Sequence, residues 1–276
     1  DPINSPPYYY SYVTGGSYKL TAKPETNYNY AINDGGIEPL LYEVGDNKKL
    51  STFQSGLVLY LPFDEGTGTI AYDLSGYGNN GKLCEASTTN CYVNGPNWSD
   101  DSISGKSLYF DGINDGVLFP SMATTGLSHS FVVWIKPSTT SNEKYIFAAN
   151  SGISTFNLTN SWGIKYTACG LVCSWGIGSG ANAVKQNTWQ MVAVSLDYLG
   201  NNQAKVALYV NDKKVKEGVV SSGSYPFYVR WGGIGMANNQ GNNYSFTWFG
   251  GWMDNAKVYK RALSDQEIKA LYEATK

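Results

Sequence analysis

The sequence has a single histidine, His129, and only 15% charged residues, with a formal net charge of -2. One histidine and no G-x-S-x-G stretch leave little material for a hydrolase triad. His129 opens the run HSFVVW, where a hydrogen bond at a strand edge is its ordinary use. No basic excess marks a nucleic-acid footprint. No block of like charge suits a polyanion or a membrane surface. No stretch approaches the roughly 18 apolar residues of a membrane span, and no signal peptide is present. The chain opens abruptly at Asp1-Pro2, which leads us to expect that a preceding segment has been removed. Paired carboxylates at strand spacing, as a retaining glycosidase needs, are also missing. The acidic residues fall mainly in turns, such as Asp64-Glu65, Asp100-Asp101, Asp111, Asp115 and Asp212. The expectation is a non-enzymatic protein.

Cysteine is scarce too, and its four copies stand in two close pairs, CEASTTNC (Cys84, Cys91) and CGLVC (Cys169, Cys173). Proximity favours the disulfides Cys84–Cys91 and Cys169–Cys173 among three possible pairings. The rival reading is a metal site at CGLVC. Zinc wants four nitrogen or sulfur ligands, and one histidine supplies little of that. Disulfides place the chain in an oxidising, extracellular setting. Asn97-Trp98-Ser99, Asn157-Leu158-Thr159 and Asn243-Tyr244-Ser245 match the N-glycosylation pattern, which Asn- and Ser-rich loops also produce by chance.

What is abundant points to turn-rich β structure. The chain carries 31 Gly, 22 Tyr and 8 Trp, a mixture suited to short strands with tight connections. Residues 1–55 stand apart. They hold the Pro- and Tyr-rich DPINSPPYYYSYVTGG, one short strand signal in SYKLTAKPE and an irregular remainder, which is too little periodicity for a core. From Gly56 onward strand signals recur: GLVLYLPF, KSLYF, HSFVVWIKP, KYIFAA, TFNLT, SWGIKYT, VCSWGIG and TWQMVAVSLDY. KVALYVNDKKVKEGVV reads as a hairpin turning at Asn211-Asp212. Such a series means a sandwich or jelly roll rather than a parallel sheet. The one convincing helix is C-terminal. Ser264 and Glu267 form a capping box, and Ile268, Leu271 and Tyr272 recur at helical spacing.

Six stretches in order resemble the laminin G-like, concanavalin A-like jelly roll of bacterial secreted proteins. They are GLVLYLPFDEGTGTIAYDLSGYGNNGKL, GKSLYFDGINDGVLFP, SFVVWIKPS, TWQMVAVSLD, ALYVNDKKV and FGGWMDNAKVYKRALSDQEIKALY, and they cover about residues 56–275. The resemblance implies an all-β fold of two antiparallel sheets, with a short C-terminal helix and an extended N-terminal arm. It implies carbohydrate or protein binding, and a structural calcium where the first and last strands meet. The residues it offers are Asp64 and Glu65 in FDEG, Asn80 and Gly81 in GNNG, and Asp254 in MDNAKVY. Calcium takes hard oxygen ligands, so Gly81 would serve through its carbonyl. The plainer reading of each carboxylate is a turn acceptor for backbone N–H. Asp111 and Asp115 suit Asx-turn duty better.

The arm, DPINSPPYYYSYVTGGSYKLTAKPE, is similar to the C-terminal part of bacterial type IV pilins and type II secretion pseudopilins. Tyr18, Leu20, Ala22 and Glu25 match a Y-x-L-x-A-x-x-E edge-strand motif. The apolar N-terminal helix of pilins is absent from this stretch. The resemblance implies residues 1–55 as a pilin-like module and 56–276 as the jelly roll. It implies a bacterial cell-surface filament subunit serving assembly or adhesion. Its partner would be a pilin helix subunit or further copies of itself, with Tyr8, Tyr9 and Tyr10 buried against a neighbour. A free-standing carbohydrate-binding module is the alternative. Sugar sites combine flat aromatics with Asn, Asp and Gln at loop ends. Trp162, Tyr166, Trp175, Trp231 and Tyr244 lie near Gly- and Asn-rich loops and are the candidate platforms, whereas Trp134, Trp189 and Trp248 read as core or sheet-face residues.

Overall fold

The computed structural model describes residues 10–14, 18–22 and 42–45, and then 56–276 apart from 87–90, 93–94, 120–127, 140–142, 150–153, 169–174, 222–231 and 237–247. Strands are numbered in chain order. The backbone divides into two compact units, Asp1–Leu57 and Val58–Lys276, with the boundary inside β4 (Leu57–Leu61).

In the first unit, β1 (Tyr10–Thr14), β2 (Tyr18–Ala22) and β3 (Tyr42–Gly45) form a three-stranded antiparallel sheet in the order β1-β2-β3. The expectation of a single strand is corrected here. Tyr10 pairs with Ala22 and Ala22 with Tyr42, so backbone pairing builds the sheet where side-chain alternation is weak.

The second unit is a sandwich of two antiparallel sheets. One runs β15 (Trp175–Gly178), β14 (Ile164–Ala168), β13 (Ser154–Leu158), β12 (Lys144–Ala149), β19 (Gly232–Ile234), β10 (Asp115–Phe119), β6 (Gly81–Ala86) and β5 (Ile70–Ala71), with β7 (Cys91–Tyr92) on β6. The other runs β18 (Lys213–Ser221), β17 (Gln203–Val210), β16 (Gln190–Gly200), β11 (His129–Pro137), β20 (Gly250–Tyr259), β9 (Ser107–Asp111) and β8 (Asn97–Ser99), with β4 on β20. The first and last long strands of the unit are therefore paired.

Between the sheets, Phe131 of β11 stacks on Phe147 of β12 with centroids 4.2 Å apart and meets Phe156 of β13 edge-on at 6.1 Å. Each such fully buried side chain is worth roughly 1.5–3 kcal/mol. β16 is buried on both faces. Val192, Val194 and Leu196 enter the core, while Met191, Ala193 and Ser195 lie on the opposite face. The helix α1 (Asp265–Thr275) and the turn before it pack on that outer face: Ser195 Oγ donates to the Leu263 carbonyl at 2.7 Å. Trp134 donates to Thr275 Oγ1 at 3.0 Å and stacks on Tyr272. The capping box at Ser264 and Glu267 is present in both directions.

Candidate functional site

The corner where β4 meets β20 is built by a β-bulge. Val132 pairs with Lys257 but Trp134 pairs with Asp254, so Asn255 and Ala256 together face one residue, Val133. Asn255 holds φ at +54°, a conformation that Asn tolerates better than most residues. The extra residue lets Met253, Ala256 and Val258 all enter the core. Without it, Asn255 and Lys257 would follow Met253 inward.

Asp254 is fully buried, and its carboxylate is committed to protein donors. Oδ2 accepts from the backbone N–H groups of Ile103 at 2.9 Å and Ser104 at 3.3 Å, and Oδ1 accepts from Asn255 Nδ2 at 3.0 Å. Burial pushes its pKa up to about 7, against the pull of those N–H groups, and the nearby Asp64 charge adds to the rise. Lys257 is pushed down to about 8 by burial, partly offset by Asp254, and its Nζ lies 4.2 Å from the Tyr60 ring centroid.

Asp64 anchors the same loop, with Oδ1 accepting from Lys106 N–H at 2.8 Å. Glu65 and Asn80 serve a different segment. Glu65 Oε1 accepts from Tyr72 N–H at 2.7 Å, and Asn80 Oδ1 accepts from Asp73 N–H at 2.9 Å. Burial raises the pKa of Glu65, and its Oε2 is buried with no hydrogen-bond partner. A Cβ on Gly81 would come 2.6 Å from Val117 Cγ1, so packing already requires glycine there. The four side chains among the five proposed calcium ligands thus fall into two pairs that each hold backbone in place, Asp64 with Asp254 and Glu65 with Asn80. Among the described residues no group of three or more His, Cys, Asp or Glu side chains stands ready to hold a metal. A calcium shell here would have to be completed by carbonyls and waters, which calcium accepts.

The residue that organises this corner most heavily was not among the expected ligands. Asp73 accepts from Tyr60 N–H (2.9 Å), Ser75 N–H (2.9 Å), Ser75 Oγ (2.7 Å) and Asn79 N–H (2.8 Å). Its only sequence signal is its place in DLSGYGNN, where Asx-turns are common. Asp111 holds such a turn, accepting from Ile113 N–H at 2.8 Å. Asp115 instead lies buried in β10, where burial lifts its pKa to about 6.

Of the five aromatic candidates, the side chains of Trp162 and Tyr166 are described, and these two differ. Trp162 sits in the loop between β13 and β14, partly exposed, with φ at +61°. Left-handed backbone is unfavourable for a bulky residue, and several hydrogen bonds enforce it. Trp162 N–H donates to the Thr159 carbonyl at 3.1 Å, and Val184 N–H donates to the Trp162 carbonyl at 2.8 Å. Asn182 N–H reaches the Ser161 carbonyl at 2.9 Å, and Gly163 N–H reaches Thr159 Oγ1 at 2.9 Å. A Cβ on Gly163 would stand 2.0 Å from the Gly180 carbonyl oxygen, so the two loops touch through glycine. The rim so formed presents Trp162 beside the exposed Asn160, Ser161 and Asn182.

Tyr166 must be removed from the platform set. It is 2% exposed, and its hydroxyl lies 3.2 Å from His129 Nε2 in a contact between the two sheets. Trp175 begins β15, but its side chain lies outside the described residues, as do Trp231 and Tyr244. Tyr8 and Tyr9 also lie outside them, and Tyr10 is described only as the first residue of β1. Cys84 is disulfide-bonded. Cys91 lies on β7, beside the strand that carries Cys84, and the side chains of Cys91, Cys169 and Cys173 lie outside the described residues. Of the glycosylation patterns, Asn97 is exposed, Asn157 is buried and Asn243 lies outside the described residues.

Comparison with known proteins agrees with this architecture. The chain superposes on the binding domain of Paraclostridial Mosquitocidal Protein 1 with a TM-score of 0.61 at 14% identity, covering 81% of this chain and 53% of that one. It superposes on domain 4 of AbnA, a GH43 extracellular arabinanase from Geobacillus stearothermophilus solved with arabinotriose, with a TM-score of 0.59 at 17% identity, covering 79% and 98%. The botulinum neurotoxin type G receptor binding domain gives 0.57 at 16% identity, covering 80% and 51%. At such identities the likeness is one of fold, and the chain spans about half the length of the two toxin domains. A search of curated protein sequences finds no match. The laminin G family model described as the concanavalin A-like lectin/glucanases superfamily matches residues 110–269, more than half of the chain. The chain belongs to the laminin G-like branch of the concanavalin A-like lectin/glucanase superfamily.

Proposed function

We propose that the jelly roll is a non-catalytic, extracellular binding domain that takes a carbohydrate at the Trp162 rim. The observation that carries this reading is the left-handed Trp162, a partly exposed residue held by two hydrogen-bonded loops. Strain of this kind persists where surrounding structure enforces it, and it gathers at ligand sites. Exposed Asn and Ser beside a flat ring are what a hydroxyl-rich ligand needs. A fold neighbour solved with arabinotriose and two toxin binding domains support a binding role. The test is a glycan array probed with the full chain and with Trp162→Ala. Reproducible hits that vanish in the variant support the reading. Hydrolysis of a bound polysaccharide contradicts it.

The second part of the proposal is display. The chain would serve as a subunit of a pilus-like or pseudopilin filament on a bacterial surface, with residues 1–55 docking to a pilin helix subunit or to further copies of itself. The separate sheet of β1, β2 and β3 favours this over a loose linker. An apolar helix encoded upstream or in a neighbouring gene would support it. A mature chain secreted free of any filament would support the alternative, a free-standing carbohydrate-binding module. Among the described residues no helix is long and apolar enough to cross a membrane.

Calcium belongs to the same proposal, at Asp64, Glu65, Asn80, Gly81 and Asp254. A hard cation there would compensate carboxylates whose pKa burial raises and would give Glu65 Oε2 a partner. Chelator should then lower the melting temperature, and an unchanged curve contradicts the calcium assignment.

A further inference from the structure

A polar cavity lies on the opposite face of the β16–β18 sheet from the core. It has a volume of about 520 Å³, with a floor from β16, β17 and β18 and a wall from the turn and first residues of α1. That volume falls within the range of small-ligand sites. Its charged groups alternate in sign. Lys214 Nζ lies 2.6 Å from Glu217 Oε2 and 3.0 Å from Asp265 Oδ2, Lys205 Nζ lies 3.1 Å from Glu217 Oε1, and Tyr209 donates to Asp265 Oδ1 at 2.7 Å. Asp197 adds a further carboxylate.

A deviation in the strand assembles this set. Lys214 and Glu217 are three apart, and on a regular strand they would face opposite ways. The β17–β18 register shifts between Leu208 and Tyr209, so that Tyr209 pairs with Lys214 but Leu208 pairs with Lys216. Val215 is the extra residue and packs against the core. The bulge turns both Lys214 and Glu217 onto the face where Ala207 and Tyr209 lie, as bulges beside functional sites do.

We infer that this groove is a second binding site, distinct from the Trp162 rim, for an uncharged saccharide held edge-on by hydrogen bonds. The sign alternation selects the ligand class. An anion would have to displace Glu217 or Asp265 from a lysine, and a cation would have to displace Lys214 or rest on Asp197 alone, whose Oδ1 already accepts from Ser128 Oγ at 3.2 Å. Vicinal hydroxyls donate and accept at once, and so can bridge each ammonium–carboxylate pair without parting it. Tyr209 is buried with its hydroxyl engaged, so the groove offers no stacking ring. That sets it apart from an aromatic platform.

The test is a backbone amide titration of the full chain by NMR with D-glucose, D-galactose, D-mannose, L-arabinose and N-acetylglucosamine, each to its solubility limit. At least one sugar should give saturable shifts at residues 205–217 and 264–266. Lys214→Ala should weaken that response about ten-fold or more. Asp265→Asn, which keeps size and shape, provides the same readout if Lys214→Ala fails to fold. Absence of saturable shifts there with all five sugars overturns the inference, as does an equal response in both variants. Shifts at residues 159–163 and 179–184 report the Trp162 rim separately, so either site can fail without the other.

Discussion

Among the described residues two aromatics, Phe63 and Trp162, hold left-handed backbone, and they have opposite surroundings. Phe63 has φ at +63° with its ring fully buried in the sandwich core, immediately before Asp64. Trp162 has φ at +61° on a loop and is partly exposed. A residue in this region costs roughly 1–2 kcal/mol. At Phe63, ring burial offsets that cost, and the backbone reversal that follows sends Asp64 to the 103–106 loop. At Trp162, burial returns much less, and the hydrogen bonds of the two loops must hold the conformation. The same backbone state therefore serves architecture at one place and display at the other. The corner around Phe63, Asp73 and Asp254 is a staple, and the rim around Trp162 is a presented surface.

Breaking the staple should cost the most. Asp73→Ala removes four hydrogen bonds and leaves backbone N–H groups without acceptors, each worth roughly 1–3 kcal/mol when buried. Denaturant unfolding should show a loss of about 3 kcal/mol or more. The same measurement on Trp162→Ala should show less than about 1 kcal/mol, in the range of surface changes. Equal losses would erase the distinction between the regions.

Strain at the rim can be isolated with Trp162→Gly. Glycine adopts positive φ without the Cβ penalty, so this variant should be more stable than Trp162→Ala by about 1 kcal/mol. If alanine is the more stable of the two, the left-handed backbone is not enforced as described. Ser264→Ala, which removes the cap of α1, should cost about 1 kcal/mol and leave both regions intact.

A pH slope probes the staple without a change of shape. Asp254 has its folded pKa raised to about 7 from the ordinary 3.8. Between those values the folded state binds more protons than the unfolded state. Its contribution is therefore fully present below 3.8 and is lost as pH rises toward 7. Asp254→Asn cannot titrate, so wild type minus variant stability should fall across that window and level off above it. Saturating calcium should flatten the difference if the cation binds this corner. A rising difference would contradict the buried-acid description.

Much of this could be read in advance, because patterns that carry apolar periodicity survive into structure. The step from Met253 to Ala256 to Val258 is three and then two, which already implies a bulge. SWGIKYT alternates Ile164 and Tyr166 against Lys165 and Thr167, so the burial of Tyr166 was available in its period. Nothing comparable marks Asp73. Its role depends on Tyr60 and Asn79 returning to it in space, and turn carboxylates look alike in sequence. The groove at Lys214 was equally hidden, since Val215 reads as one more residue of a hairpin until its register is known. In the first unit, strands β1 and β3 form by backbone pairing among Tyr, Gly and Ser residues, where side-chain pattern carries little information.

The most direct test of a non-catalytic domain that displays a strained tryptophan to sugar is the glycan binding of the full chain, measured side by side for wild type and Trp162→Ala with matched melting temperatures. Reproducible glycan hits for wild type and their loss in the variant are expected. Binding that persists unchanged in Trp162→Ala, or turnover of the glycan by the wild-type chain, would contradict it.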